Sequence, residues 1–199
     1  MRPPGNVRRL RRRVVGVAAL VMVAMGIGGV VVIRLRQPTE VSFTPVADAY
    51  VSTAHPDANY GSEPTLRADA TPKIRSYLRF RLDGLSGRVV KAKLRLWSPT
   101  GHLAGYLVHR VSREWVERAI TSRSHPAAGT HVVGSGPFGP GSWSSVDVTR
   151  LLDGSREASL VVTTRSSQTL TFDSREGPNR PQLVVWTKPA PKPAAMAAG

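Results

Sequence analysis

Two stretches of this chain alternate strictly between apolar and polar residues. In residues 76–82 (SYLRFRL), Leu78, Phe80 and Leu82 face one way and Tyr77, Arg79 and Arg81 the other. In residues 90–97 (VKAKLRLW), Val90, Ala92, Leu94 and Leu96 oppose Lys91, Lys93, Arg95 and Trp97. A period of two, with one face apolar, is the mark of an antiparallel strand that buries only one side. Residues 83–88 (DGLSGR) supply a turn between the two, so the simplest reading makes them hairpin neighbours.

The rest of the region repeats the pattern in shorter pieces. Strand candidates are residues 41–45, 48–52, 103–111, 145–148, 159–164, 169–173 and 182–187, separated by Gly, Pro, Ser and Asp. A short helical turn over 148–153 is the one departure, and residues 126–144, rich in Gly, Pro and Ser, read as a long loop. Eight or nine antiparallel strands of this kind predict an all-β protein, a jelly-roll β-sandwich. The sequence divides into a basic tail at 1–13, an apolar segment at 14–33, a linker at 34–42, the sandwich at 43–187 and a Pro/Ala-rich tail at 188–199, expected to be disordered.

The segment 14–33 (VVGVAALVMVAMGIGGVVVI) carries no charge over 20 residues. As a helix it would be about 30 Å long, the hydrocarbon thickness of a bilayer. Six Arg precede it and two follow. The heavier basic flank is retained in the cytoplasm, which predicts a single-pass signal anchor with the sandwich outside the cell. The alternative is secretion after cleavage, but the run exceeds the usual signal-peptide length and ends in Val-Val-Val-Ile-Arg rather than a small-x-small site. The formal charge of +15 must be read with this in mind. Residues 1–36 hold eight Arg and no acid (+8), leaving 20 basic and 13 acidic residues (+7) for the remainder. Half the basicity is thus a topology signal. With no recognition motif present and an extracytoplasmic domain expected, nucleic acid is not an expected partner, while the residual +7 favours an anionic one.

Several short motifs occur in a fixed order. Asp48-Ala49-Tyr50-Val51 and Pro56-Asp57-Ala58-Asn59-Tyr60-Gly61 open the domain, followed by Tyr77-Leu78-Arg79-Phe80 and Ala92-Lys93-Leu94-Arg95-Leu96. Trp115-Val116-Glu117 with Ile120-Thr121, then Trp143 with Asp147-Val148-Thr149, lead to Phe172-Asp173-Ser174-Arg175-Glu176 and Arg180-Pro181-Gln182-Leu183-Val184-Val185. Over residues 43–187 this order resembles the DNRLRE-domain family of carbohydrate-binding modules, also met as a disaggregatase-related repeat. The resemblance implies a jelly-roll sandwich that binds polysaccharide, in some members acidic, uronate-containing glycans.

The polar faces of the two alternating strands define the candidate ligand site. If they are neighbours about 4.8 Å apart, Tyr77, Arg79, Arg81, Lys91, Lys93, Arg95 and Trp97 form one patch of five cations and two aromatics with no acid. Arg and Lys suit carboxylate or sulfate groups, and Trp and Tyr offer flat faces to sugar rings. Trp143, closing the Gly-rich loop, is a further candidate, whereas Trp115 reads as core. Asp48, Asn59, Tyr60, Gly61, Arg175 and Glu176 read as a structural motif in which Arg175 and Glu176 tie the last strands to Asp48 or Asn59, because buried charges must be paired. Asp48, Asp57 and Asn59 also offer oxygen ligands for a structural Ca²⁺; no other cofactor is expected.

No catalytic residues are expected. There is no cysteine, the five His show no metal-ligand spacing, and no Gly-x-Ser-x-Gly elbow or phosphate loop is present. The expected function is a membrane-anchored, extracellular, non-catalytic module binding a polysaccharide with acidic groups. The alternative is a structural or protein-interaction sandwich of the envelope with no glycan ligand.

Overall fold

The computed structural model describes residues 37–152 and 154–189. The basic tail, the apolar segment and most of the C-terminal tail lie outside the described residues. Twelve strands follow one another: β1 (Thr39–Phe43), β2 (Pro45–Ser52), β3 (His55–Tyr60), β4 (Thr65–Ala70), β5 (Lys73–Arg81), β6 (Arg88–Ser98), β7 (Leu107–Arg110), β8 (Val132–Gly134), β9 (Ser142–Asp147), β10 (Glu157–Thr163), β11 (Leu170–Asp173) and β12 (Gln182–Lys188). The expected helical turn is a single 3-10 turn, Thr149–Leu151. Apart from that turn, the regular structure of the described residues is all β, as the alternation predicts. It has three strands more than the nine candidates, because β3, β4 and β8 carry little apolar pattern. β3 reads HPDANY, and its Pro56 is tolerated because the strand pairs with β2 alone.

Every pairing is antiparallel, and the strands form two sheets. One has four strands in the order β1-β12-β6-β9. The other has eight: six in the order β11-β4-β5-β10-β7-β8, with β2 on β5 and β3 on β2. Between them lies the main core, where Leu94 and Leu96 of β6 and Leu183 and Val185 of β12 meet Leu78 and Phe80 of β5, Leu160 of β10 and Phe172 of β11.

The hairpin expectation is overturned. β5 and β6 are consecutive in sequence but belong to different sheets. β5 pairs with β2 and β10, and β6 with β12 and β9. The intervening residues form an arch across the sandwich: the Leu82 N–H donates to the Arg156 carbonyl at 2.7 Å. Gly87 turns at φ +83°, where a Cβ would collide with the Lys188 carbonyl. Alternation fixes which face a side chain takes, not which strand lies beside it.

The two sheets also differ in what covers their outer faces. Residues 111–126 fold back over the eight-stranded sheet, and Val111, Trp115 and Ile120 bury against Ala47, Ala49 and Val51 of β2, Tyr77 of β5 and Val161 of β10 as a second core. That sheet is therefore apolar on both faces at its centre, while among the described residues nothing folds over the outer face of the four-stranded sheet.

Candidate functional site

The open face of the four-stranded sheet collects the residues with ligand chemistry. Along β6 it presents Lys91, Lys93, Arg95 and Trp97. The register places Trp186 opposite Lys91, Val184 opposite Lys93 and Gln182 opposite Arg95 on β12. On β9, Asp147 stands opposite Lys93, Ser145 opposite Arg95 and Trp143 opposite Trp97. Trp97 lies six positions beyond Lys91, about 20 Å along the strand. The face is thus a strip with tryptophans at both ends and cations between.

The contacts within the strip are specific. The Trp97 and Trp143 rings meet edge to face, centroids 5.8 Å apart at 71°. The Arg95 guanidinium carbon lies 4.9 Å from the Trp143 centroid, and its Nη1 donates to Gln182 Oε1 at 3.0 Å. Lys91 Nζ lies 5.7 Å from the Trp186 centroid. Lys93, Arg95, Trp97, Trp143 and Trp186 are all half-buried, and Lys91 is exposed.

One acid sits among the cations, contrary to the expected acid-free patch. Partial burial opposes ionisation of Asp147. Hydrogen bonds from the Thr149 hydroxyl and N–H, with Lys91 and Lys93 nearby, outweigh it and hold the carboxyl below its ordinary value. Asp147 is thereby tied to the start of the 3-10 turn. Trp186 and Gln182 were not singled out from the sequence, although the alternation of residues 182–187 signals Trp186: it shares the parity of Gln182 and Val184.

The other half of the expected patch is elsewhere. Tyr77, Arg79 and Arg81 stand on the far side of the sandwich, and the covering segment explains their roles. Tyr77 is fully buried, and its hydroxyl lies 2.8 Å from His125 Nδ1 and donates to the Pro126 carbonyl at 3.3 Å. Arg79 Nη1 donates to the Arg113 and Trp115 carbonyls, both at 3.0 Å, with its guanidinium 5.2 Å from the Trp115 centroid. Arg81 is exposed beside Asp83 and Glu157 at 4.0 and 3.8 Å. Tyr77 and Arg79 strap the covering segment to the sheet, and none of the three joins the strip. Trp115 is core as expected, its Nε1 donating to Ser159 Oγ at 2.9 Å.

The structural motif assembles around Glu117. Its Oε1 accepts from the Asp48 N–H at 2.8 Å and lies 3.0 Å from Arg175 Nε. Arg175 also pairs with Glu176 at 2.7 Å, donates from Nη1 to the Val46 carbonyl, and gives its backbone N–H to Asp48 Oδ2. Burial raises the Asp48 pKa to about 8 against the pull of the Arg175 N–H, with Glu176 and Glu117 adding repulsion. Asn59 Nδ2 donates to the Glu117 and Ile120 carbonyls at 2.8 Å each, and its Oδ1 accepts from the Gly61 N–H. A Cβ at Gly61 would collide with the Glu117 carbonyl. Tyr60 stacks on Tyr50 with centroids 4.2 Å apart.

The three expected calcium ligands have separate partners, Asp57 forming an exposed pair with Arg123 at 2.6 Å. Asp48, Glu117 and Glu176 instead bring carboxylate oxygens within 4.8 Å of one another. Arg175 already supplies positive charge to that trio, so its members fit an internal ion network better than a dication site.

A family model, carbohydrate-binding module family 96, matches residues 39–187. That span runs from the first residue of β1 almost to the end of β12, and the chain belongs to this family. The match bears out the carbohydrate-binding character implied by the motif order; it does not carry the DNRLRE label itself. No curated protein is significantly similar to the chain.

Proposed function

We propose that the chain is a non-catalytic module, anchored by its N-terminal apolar segment with the sandwich outside the cell, that binds a polysaccharide bearing acidic groups on the strip of β6, β9 and β12. The observation that carries the reading is the Trp97–Trp143–Arg95–Gln182 arrangement. Two indole faces and a guanidinium, fixed by mutual contacts, stand half-open on a sheet face that no other described segment covers. Indole rings stack on the C–H faces of sugars, and a guanidinium pairs with a carboxylate or sulfate through two parallel hydrogen bonds. Because Arg95 and the two tryptophans hold one another in position, little side-chain entropy is lost on binding. A strip about 20 Å long suits several consecutive sugar rings of a linear polymer, with Trp186 and Lys91 gripping the other end.

Lys91, Lys93 and Arg95 outnumber Asp147, which favours an anionic glycan over a neutral one. The test is affinity electrophoresis against neutral, uronate and sulfated polymers at low and high salt. Retardation by an acidic polymer that weakens with salt supports the reading. Retardation by neutral polymers alone would contradict the acidic preference, and silence across the panel would favour a structural sandwich.

A further inference from the structure

The chain enters and leaves the sandwich at the same end. Thr39 opens β1 and pairs with Thr187, and Lys188 pairs with Arg88 at the start of β6. Residues 34–38 alone separate Thr39 from the uncharged run that ends at Ile33. Fully extended, that connection reaches about 20 Å at most. If the run spans a bilayer, this end of the sandwich must therefore sit beside the lipid headgroups.

A cleft of about 430 Å³ opens at this end, where the arch between β5 and β6 meets the start of β10. Leu82, Leu85, Val89 and Leu152 give it apolar walls continuous with the main core. Arg88 and Arg156 line it, and Lys188 is paired to Arg88 across the ladder. These three cations are exposed and form no ion pair with another described residue, whereas Arg81 nearby is shared between Asp83 and Glu157. A slot with apolar side walls and a basic rim complements a phosphate ester joined to a hydrocarbon body.

We propose that this end docks on the anionic phospholipid surface of the membrane that the chain's own apolar segment crosses, with Arg88, Arg156 and Lys188 on lipid phosphates and the cleft receiving the apolar part of a headgroup region. The proposal rests on the anchored reading above. Each basic side chain near such a surface strengthens the attraction roughly fivefold, over a range of about 8 Å at physiological salt. Docking also sets the direction of the strip. β6 runs away from this end, which places Trp97 and Trp143 about 30 Å from the bilayer, facing the extracellular matrix.

The test is amide hydrogen exchange on the full chain in lipid nanodiscs, of phosphatidylcholine alone or with phosphatidylglycerol. Amides of residues 85–89 and 154–157 are expected to exchange roughly fivefold or more slowly with phosphatidylglycerol, with those of β10 beyond residue 159 unchanged. Raised salt and the triple variant R88Q/R156Q/K188Q are each expected to remove the difference. Equal exchange in the two lipids would overturn the proposal. So would slowing that is independent of lipid and disappears on deletion of residues 190–199, which would assign the cleft to the chain's own tail. A chain that fails to enter discs would overturn both this proposal and the anchored reading, while glycan retention in the same samples reports separately on the strip.

Discussion

The Arg95 guanidinium lies 4.9 Å from the centroid of Trp143 and shares a hydrogen bond with Gln182 across the neighbouring strand. Three strands thus meet at one cation: β6 supplies it, β9 the ring beneath it and β12 the amide that aims it. A cation over an indole at a half-open site contributes about 0.5–1 kcal/mol, enough to hold one rotamer and small enough to yield to a ligand carboxylate.

Truncating this centre is expected to remove binding without harming the fold. Trp143→Ala and Arg95→Ala should each weaken retention by an acidic polymer about tenfold, the loss of roughly 1.4 kcal/mol of contact. Both side chains point away from the main core, so thermal melting should shift by a few degrees at most. Retention curves and melting curves on the same preparations check both halves.

Tyr77 should behave in the opposite way. It is fully buried in the second core beside Trp115, ring centroids 6.0 Å apart. Tyr77→Ala is expected to cost about 3–5 kcal/mol, as for other large aromatic truncations, with polymer retention unchanged in whatever fraction stays folded. Denaturant unfolding gives the first number and affinity electrophoresis the second.

Gly61 should tolerate no side chain. A Cβ there meets the Glu117 carbonyl, which Asn59 also holds. Gly61→Ala must either displace the covering segment or break the Asn59 bonds, and a loss of about 1–3 kcal/mol is expected. Asn59→Ala should cost a similar amount by leaving two carbonyls without their donor. Unfolding midpoints of the two variants, and of the double variant for non-additivity, check this.

Asp48 ties stability to pH. Its pKa is raised to about 8 from the ordinary 3.8. Between those values the folded protein keeps a proton that the unfolded chain has released. The contribution is therefore complete below about pH 4 and declines as pH rises through about 8. Asp48→Asn, which keeps an acceptor for the Arg175 N–H, should flatten the decline. Denaturant midpoints of both proteins at pH 6 and pH 9 test this; equal slopes would contradict the assignment.

The sandwich was legible because β5 and β6 each bury one face, and a two-residue period survives any arrangement of neighbours. Which strand lies beside which was not legible: residues 83–88 have turn chemistry whether they close a hairpin or arch between sheets. That ambiguity moved Tyr77, Arg79 and Arg81 into a patch they do not join. Tyr77 looks like an outward position, and it became core because residues 111–126 fold over it, a contact with no local signature beyond Trp115 and Ile120. The β6 half of the strip survived because one strand carries all of it. Trp186 escaped notice because it lies 95 positions further along the chain than Lys91, its partner on β6.

The most direct measurement is affinity electrophoresis of the wild type and the Trp143→Ala/Arg95→Ala double variant in gels containing a uronate polymer, at low and high salt. The account predicts retardation of the wild type that weakens as salt rises, and migration of the double variant as in a polymer-free gel. Equal retardation of the two proteins would contradict it, placing the glycan somewhere other than the tryptophan–arginine strip.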